Sequence, residues 1–254
     1  MTLQLFTWIT LGWIGIAVAV HILLFRVTAP FGRHTRKDWG PVIPQRLGWL
    51  IMELPSLFIM IYFLLRGTHS REGYAWILFA LWILHYINRA LIFPFRIKAR
   101  GKQMPLVIVL SAIFFNLVNA GLNGYYLAEL APAGKYGTGW VGSMSFIPGL
   151  ALFAAGMYIN IRSDNILIRL RSKGETGYRI PEGFLYRYIS CPNHFGEIIE
   201  WAGFALMAWN LPALAFAIWT YANLVPRALS HHRWYRERFA DYPKNRVAVF
   251  PFLL

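Results

Sequence analysis

Largely apolar runs about twenty residues long recur along this chain, at Leu3 to Phe25, Leu47 to Leu65, Gly73 to Phe93, Pro105 to Leu127 and Val141 to Ile161. A helix that crosses hydrocarbon needs about 20 such residues, because lipid offers no partners for free backbone groups. Each run therefore predicts a membrane span. A sixth run, Trp201 to Pro226, is interrupted by Asn210-Leu211-Pro212, a turn-like sequence that divides it into two short helices. Read so, the chain has seven spans; read as unbroken, it has six.

Charge decides between these. Cytoplasmic loops and tails carry an excess of Lys and Arg. With seven spans, one side receives Arg26 to Arg46 with five basic residues, Arg96 to Lys102 with four, Arg162 to Arg187 with six and Arg227 to Arg246 with six, 21 in all. The other side receives only Arg66, Arg71 and Lys135, and Arg89 lies inside the third span. The expectation is an all-α integral membrane protein, residues 1–254 forming one seven-helix domain, with its N-terminus outside and its C-terminus cytoplasmic. Ala17-Val18-Ala19 resembles a signal-peptidase site, but the first span lacks a basic leader and is flanked by Arg on its far side, so it is expected to be retained.

Composition narrows the class. Hydrophobic residues make up 57% of the 254 and charged ones 14%, against about 45 to 50% and about 25% in a soluble domain. The excess of 25 Lys and Arg over 11 Asp and Glu suits an anionic membrane surface or an anionic cofactor, while the hydrophobicity argues against nucleic acid. A lone cysteine, Cys191, excludes an intrachain disulfide and gives no sign of a zinc cluster. No repeat or long polar linker divides the chain.

Ionisable groups inside a span cost about 2.5 to 3.5 kcal/mol on insertion scales and face a bundle interior or cavity. Here they gather in one layer. Glu53 lies about 10 Å into the second span and Tyr86 about 12 Å into the third, both counted from the cytoplasmic side. A carboxyl and a phenol at matched depth form an acid pair suited to a lipid-accessible cavity. Arg89 follows Tyr86 by one turn, where it reaches this layer or snorkels to water. Asn116, Asn119 and Asn123 form an amide stripe on the fourth span, read as interhelical glue. Glu197 and Glu200 enter the sixth span, with Asn193 one turn before.

The longest cytoplasmic connection, Asn160 to Phe195, carries Asp164, Arg169, Arg171, Lys173, Tyr178 and Arg179 around Gly174 and Gly177. Arginine forks and approachable glycine backbone suit a nucleotide's phosphates, and anionic lipid head groups would use the same charges. Two other motifs fail. Gly137 to Gly142 matches G-x-G-x-x-G, but no strand precedes it, and the motif acts only in a strand-turn-helix setting. His231-His232 lacks metal-ligand spacing, so no metal is expected.

Taken together, several stretches resemble the steroid 5α-reductase family, the 3-oxo-5α-steroid 4-dehydrogenases. They are Glu53-Leu54-Pro55-Ser56, His85-Tyr86 with Arg89, Gly124-Tyr125-Tyr126-Leu127, Asn160-Ile161-Arg162-Ser163-Asp164, Gly177-Tyr178-Arg179-Ile180-Pro181, Asn193 with Gly196-Glu197-Ile198-Ile199-Glu200-Trp201, Leu211-Pro212-Ala213, His231-His232-Arg233-Trp234-Tyr235 and Asp241-Tyr242-Pro243-Lys244. The resemblance spans nearly the whole chain. It implies an enzyme with seven helices that reduces the 4,5 double bond of a 3-oxo steroid or similar lipid enone with NADPH. By the same resemblance Glu53 and Tyr86 hold the 3-keto oxygen. Asn160, Asp164, Arg171, Tyr178, Arg179, Asn193, Arg227, His231 and Tyr235 surround the cofactor, with Glu197 near the nicotinamide and Lys102 at a position usually Arg or Lys. Met52 precedes Glu53 where some members carry Gln, which removes a second donor to the keto oxygen. Glu53 either donates a proton itself or, ionised, orients the phenol. The nearest rival readings are membrane methyltransferases, other sterol, polyprenol or enoyl reductases, and a lipid-binding protein without catalysis. The chain is expected to work as a monomer among membrane lipids, in the endoplasmic reticulum of a eukaryote or the inner membrane of a bacterium.

Overall fold

A computed structural model describes residues 1–30, 32–98, 101–170 and 177–254. They form helix α1 (Leu3–Arg26), strand β1 (Val42–Pro44), α2 (Gln45–Arg66), α3 (Trp76–Tyr86), β2 (Gln103–Pro105), α4 (Leu106–Tyr125), α5 (Phe146–Arg169), α6 (Pro192–Ala208) and α7 (Leu211–Arg238), with short helical turns between. Four helical segments among the described residues are long and apolar enough to cross a membrane: Leu3–Arg26, Gln45–Arg66, Trp76–Arg96 and Leu106–Leu130.

Two of these segments carry π turns near their C-terminal ends. After Tyr86 the chain widens over Ile87–Ile92 before a last α turn, Phe93–Arg96. Pro94 lacks the N–H that an α-helix would use there, and the Phe93 N–H reaches back five residues to the Asn88 carbonyl. Tyr126–Leu130 repeats the device ahead of Pro132, with the Ala131 N–H on the Tyr126 carbonyl.

By internal contacts the chain divides into two compact units. The first comprises 1–10, 29–147 and 208–213. Its core is built on Phe6, Met60, Leu78, Phe79, Trp82, Met104 and Leu127. Here the structure departs from an all-helical reading, because β1 and β2 pair antiparallel with Ile43 opposite Met104. The pairing continues into the helix starts: the Gln45 N–H donates to the Lys102 carbonyl at 3.0 Å and the Leu106 N–H to the Pro41 carbonyl at 2.8 Å. This ladder gives backbone partners to first-turn N–H groups that no intrahelical carbonyl can reach, and fixes the axial register of α2 against α4.

The divided sixth run is also visible here. α6 ends at Ala208, Trp209 takes a left-handed backbone (φ 45°), and α7 starts at Leu211. The Asn210 side-chain oxygen accepts from the Ala213 N–H at 2.8 Å as a helix cap, with Pro212 in the first turn. Around this break the Tyr136 hydroxyl donates to the Ala208 carbonyl at 3.0 Å and accepts from the Asn210 amide, and burial raises its pKa.

The second unit comprises 11–28, 148–207 and 214–254. Its core includes Phe153, Trp201, Phe204 and Phe216. Trp13 and Trp219 meet at 4.6 Å between centroids, and the Trp219 indole N–H donates to the Trp13 carbonyl at 3.0 Å. α5 and α6 approach backbone to backbone. A Cβ on Gly149 or Gly156 of α5, or on Gly196 or Gly203 of α6, would fall closer than 3.0 Å to the facing helix. Small residues at such contacts let helices pack at close range in lipid. The α5 boundaries also correct the sequence reading. A short turn, Thr138–Val141, precedes the helix, which starts at Phe146 and continues to Arg169, past the apolar run. Hydropathy marks where the chain meets hydrocarbon; backbone hydrogen bonding continues beyond it. Asn160 and Asp164 accordingly lie on a helix, one turn apart.

Candidate active site

Within the first unit, the polar layer closes around one amide. Asn116 of α4 is 3% exposed. Its Oδ1 accepts from the Tyr86 hydroxyl at 3.2 Å, and its Nδ2 donates to the Met52 carbonyl at 2.6 Å and to Glu53 Oε2 at 3.2 Å. Glu53 and Tyr86, expected at one depth on neighbouring helices, thus share a partner on a third. Pro55, two residues past Glu53, lacks the N–H that an α-helix would use to bond the Ile51 carbonyl.

Around this centre the rings are tightly ordered. Tyr86 stacks on Trp82 with centroids 5.6 Å apart and planes 19° from parallel, and His85 meets it edge-on at 5.0 Å. The Trp82 indole N–H donates to the Ser56 hydroxyl at 3.1 Å, fixing the ring that supports Tyr86. Arg89 turns inward: its Nε lies 3.9 Å from Glu53 Oε1, with the guanidinium over the Trp49 and Phe93 rings at 4.7 and 5.1 Å. The π turn places it there by shifting the residues after Tyr86 relative to an unbroken α-helix. A phenol, a carboxyl and an amide thus meet here beside a cation.

In the second unit, the glycine contacts bring α5 and α6 close enough for short polar side chains to meet. Asn160 Nδ2 donates to the Asn193 carbonyl at 3.0 Å and to Glu197 Oε2 at 3.3 Å, and Asn193 Nδ2 donates to Asp164 Oδ1 at 3.1 Å. Four of the sequence-predicted residues therefore form one network. The Tyr178 ring packs against Trp234 at 4.9 Å, His231 lies beside His194 at 5.6 Å, and Tyr235 stacks on Tyr242 at 5.3 Å with planes 8° apart. Arg227 is half-buried on α7, one turn before His231, and Arg179 is exposed. Arg171 lies outside the described residues. Lys102 is in the first unit, at the entry to β2, half-buried.

Sequence reading missed the role of Asn116 as a junction and a second cluster at the C-terminal end. There Ser190 Oγ meets His232 Nδ1 at 2.6 Å and the Tyr242 hydroxyl at 2.7 Å, and donates to the Val247 carbonyl at 3.1 Å. Burial, then the neighbouring Arg236 charge, lowers the His232 pKa, while burial raises that of Tyr242. The G-x-G-x-x-G match follows the π turn Tyr126–Leu130 and a loop, with no strand leading directly into it. No group of three or more metal-binding side chains occurs among the described residues.

Comparison with known proteins shows the family. A family profile described as 3-oxo-5-alpha-steroid 4-dehydrogenase matches residues 102–254. The chain is 41% identical over 244 residues to 3-oxo-5-alpha-steroid 4-dehydrogenase 1 of Bos taurus, covering 94% of this chain and 93% of the relative. It is 41% identical over 254 residues to a steroid 5-alpha-reductase of Solanum lycopersicum, covering 98% and 97%. To the Homo sapiens 3-oxo-5-alpha-steroid 4-dehydrogenase 1 it is 41% identical over 225 residues, covering 88% and 85%. Identity at this level along nearly the full length of animal and plant enzymes shows that the chain is an oxidoreductase of the 3-oxo-5-alpha-steroid 4-dehydrogenase, or steroid 5-alpha-reductase, family.

Proposed function

We propose that this protein reduces the 4,5 double bond of a 3-oxo-Δ4 steroid to the 5α-dihydro product with NADPH, as a seven-span membrane enzyme whose C-terminus is cytoplasmic. The observation that carries the chemistry is the shared amide, which holds an acidic carboxyl and a phenol, two groups able to donate to a ketone, on one buried centre.

NADPH, when bound, supplies a hydride to the enone β-carbon. Electron density then moves to the 3-keto oxygen, and a donor aimed at that oxygen lowers the barrier by about 2.7 to 4 kcal/mol. Tyr86 is that donor, its hydroxyl turning from Asn116 Oδ1 to the keto oxygen when steroid binds. Glu53 adds a second hydrogen bond as the acid or orients the phenol as carboxylate. The α-carbon takes its proton from Tyr86 or from water, so the double bond gains one hydride and one proton.

The chemistry of the second unit's side chains fits the cofactor. Asn160, Asp164, Asn193 and Glu197 present amide donors and carboxylate acceptors suited to a carboxamide and ribose hydroxyls. Arg171, Arg179 and Arg227 would bind the phosphates, with Tyr178, His231 and Tyr235 beside them. Four apolar helices, the break at Trp209–Asn210 and the 21 to 3 division of basic residues support seven spans.

The test is turnover of a Δ4-3-oxo steroid by purified protein with NADPH, with both binding constants measured in parallel. Formation of the 5α-dihydro product is expected, together with weaker NADPH binding in Arg179→Ala. Steroid that binds and returns unchanged in the presence of bound NADPH would make this a lipid-binding protein instead.

A further inference from the structure

Glu53 and Tyr86 stand on different helices, so neither helix alone sets the distance between their acidic groups. Asn116 does. The Met52 carbonyl oxygen can only accept, so the amide nitrogen must face it, which leaves Oδ1 toward Tyr86 as acceptor. The two amide hydrogens are then used by Met52 and Glu53 Oε2, and a 180° flip of the amide would set nitrogen against the phenol and oxygen against a carbonyl. The side chain is thus locked in one orientation by three partners on two helices, and it is buried. Its neighbours on the same stripe behave differently: Asn119 and Asn123 each donate to a carbonyl four residues back in their own helix, Asn123 also to the Pro212 carbonyl. Only Asn116 of the stripe reaches both members of the acid pair among these bonds.

We propose that Asn116 is a positioning residue of the reduction, holding the Glu53 carboxyl and the Tyr86 hydroxyl in one relative geometry and biasing the charge on Glu53 through its N–H. This rests on the roles proposed above for Glu53 and Tyr86. The titratable and charged groups of the cluster are Glu53 on α2, Tyr86 and His85 on α3, and Arg89 in the following π turn.

Two variants test it. Asn116→Leu keeps similar volume and removes the amide. It should lower kcat about tenfold, the worth of a hydrogen bond to a charged group, with the NADPH Kd unchanged. Asn116→Asp keeps an acceptor for Tyr86, and while protonated it still has a hydrogen to donate. Its turnover relative to wild type should be highest at acid pH and fall as pH rises, because the ionised side chain sets a second negative charge against Glu53. A merely structural hydrogen bond would lower the yield or Tm of both variants without a new pH dependence. A ratio of Asn116→Asp to wild-type turnover that does not vary with pH overturns the proposal, including when Asn116→Leu fails to fold. Wild-type turnover in Glu53→Gln and Tyr86→Phe would instead remove the reading on which it stands.

Discussion

Tyr86 is the residue whose single atom carries the proposed chemistry. Tyr86→Phe keeps the ring that stacks on Trp82 and removes only the hydroxyl that bonds Asn116. Turnover of a Δ4-3-oxo steroid should fall about 10²-fold or more while NADPH affinity stays near wild type, as measured by single-turnover kinetics and by titration. Glu53→Gln retains a donor but not the acid, and should also lose turnover clearly. The double variant should lose less than the product of the two, because both residues serve one oxygen. Near-normal turnover in Tyr86→Phe would end the enolate role. At this scale the sequence was informative. Counting residues into each span puts Glu53 and Tyr86 at one depth, and the structure joins them through one side chain. The identity of that side chain was not legible, because helical spacing shows which face Asn116 occupies and leaves its neighbour on another helix undetermined.

Between helices, glycine placement matters more than hydropathy. Gly149 and Gly156 on α5 face Gly203 and Gly196 on α6, and the close approach lets Asn160 reach both Asn193 and Glu197. Gly196→Val would drive methyl groups against the Asn160 backbone and the Gly156 carbonyl, contacts that a rigid backbone cannot relieve. Overpacking of this kind costs about 1 to 3 kcal/mol, so Tm in detergent should drop and NADPH should protect less against heat. Gly121→Ala on α4 is the matched control, since a Cβ there meets nothing within 4 Å, and its Tm should hold or rise slightly. Equal losses in both variants would show that α5 and α6 do not depend on this contact. The extents of the elements were only partly legible. α1 and α2 follow their apolar runs within two residues at each end, whereas α6 begins at Pro192, well before Trp201. The strands β1 and β2 left no pattern, because three residues ending in proline show no alternation.

For the molecule as a whole, the prediction concerns its orientation in the membrane. A reporter fused after Leu254 should behave as cytoplasmic and one placed before Met1 as external, as read by reporter activity in intact cells. Both reporters on one side would reject seven spans, whatever the helix break at Trp209–Asn210 suggests. The driving term is the asymmetry of Lys and Arg, which acts during insertion and is a property of loops and tails rather than of packing.

Family, membrane class and the matched depth of Glu53 and Tyr86 follow from the sequence by itself, because hydrophobic length, charge placement and short motifs are local properties that burial in lipid makes stringent. What only the tertiary structure decided is which groups meet across helices. Asn116 bridges Tyr86 and Glu53, Arg89 turns to Glu53 through a π turn, glycine contacts assemble the Asn160 network, and β1 and β2 set the register of α2 against α4. Each depends on the axial rotation and offset of one helix against another, quantities that backbone hydrogen bonding within a single helix leaves undetermined.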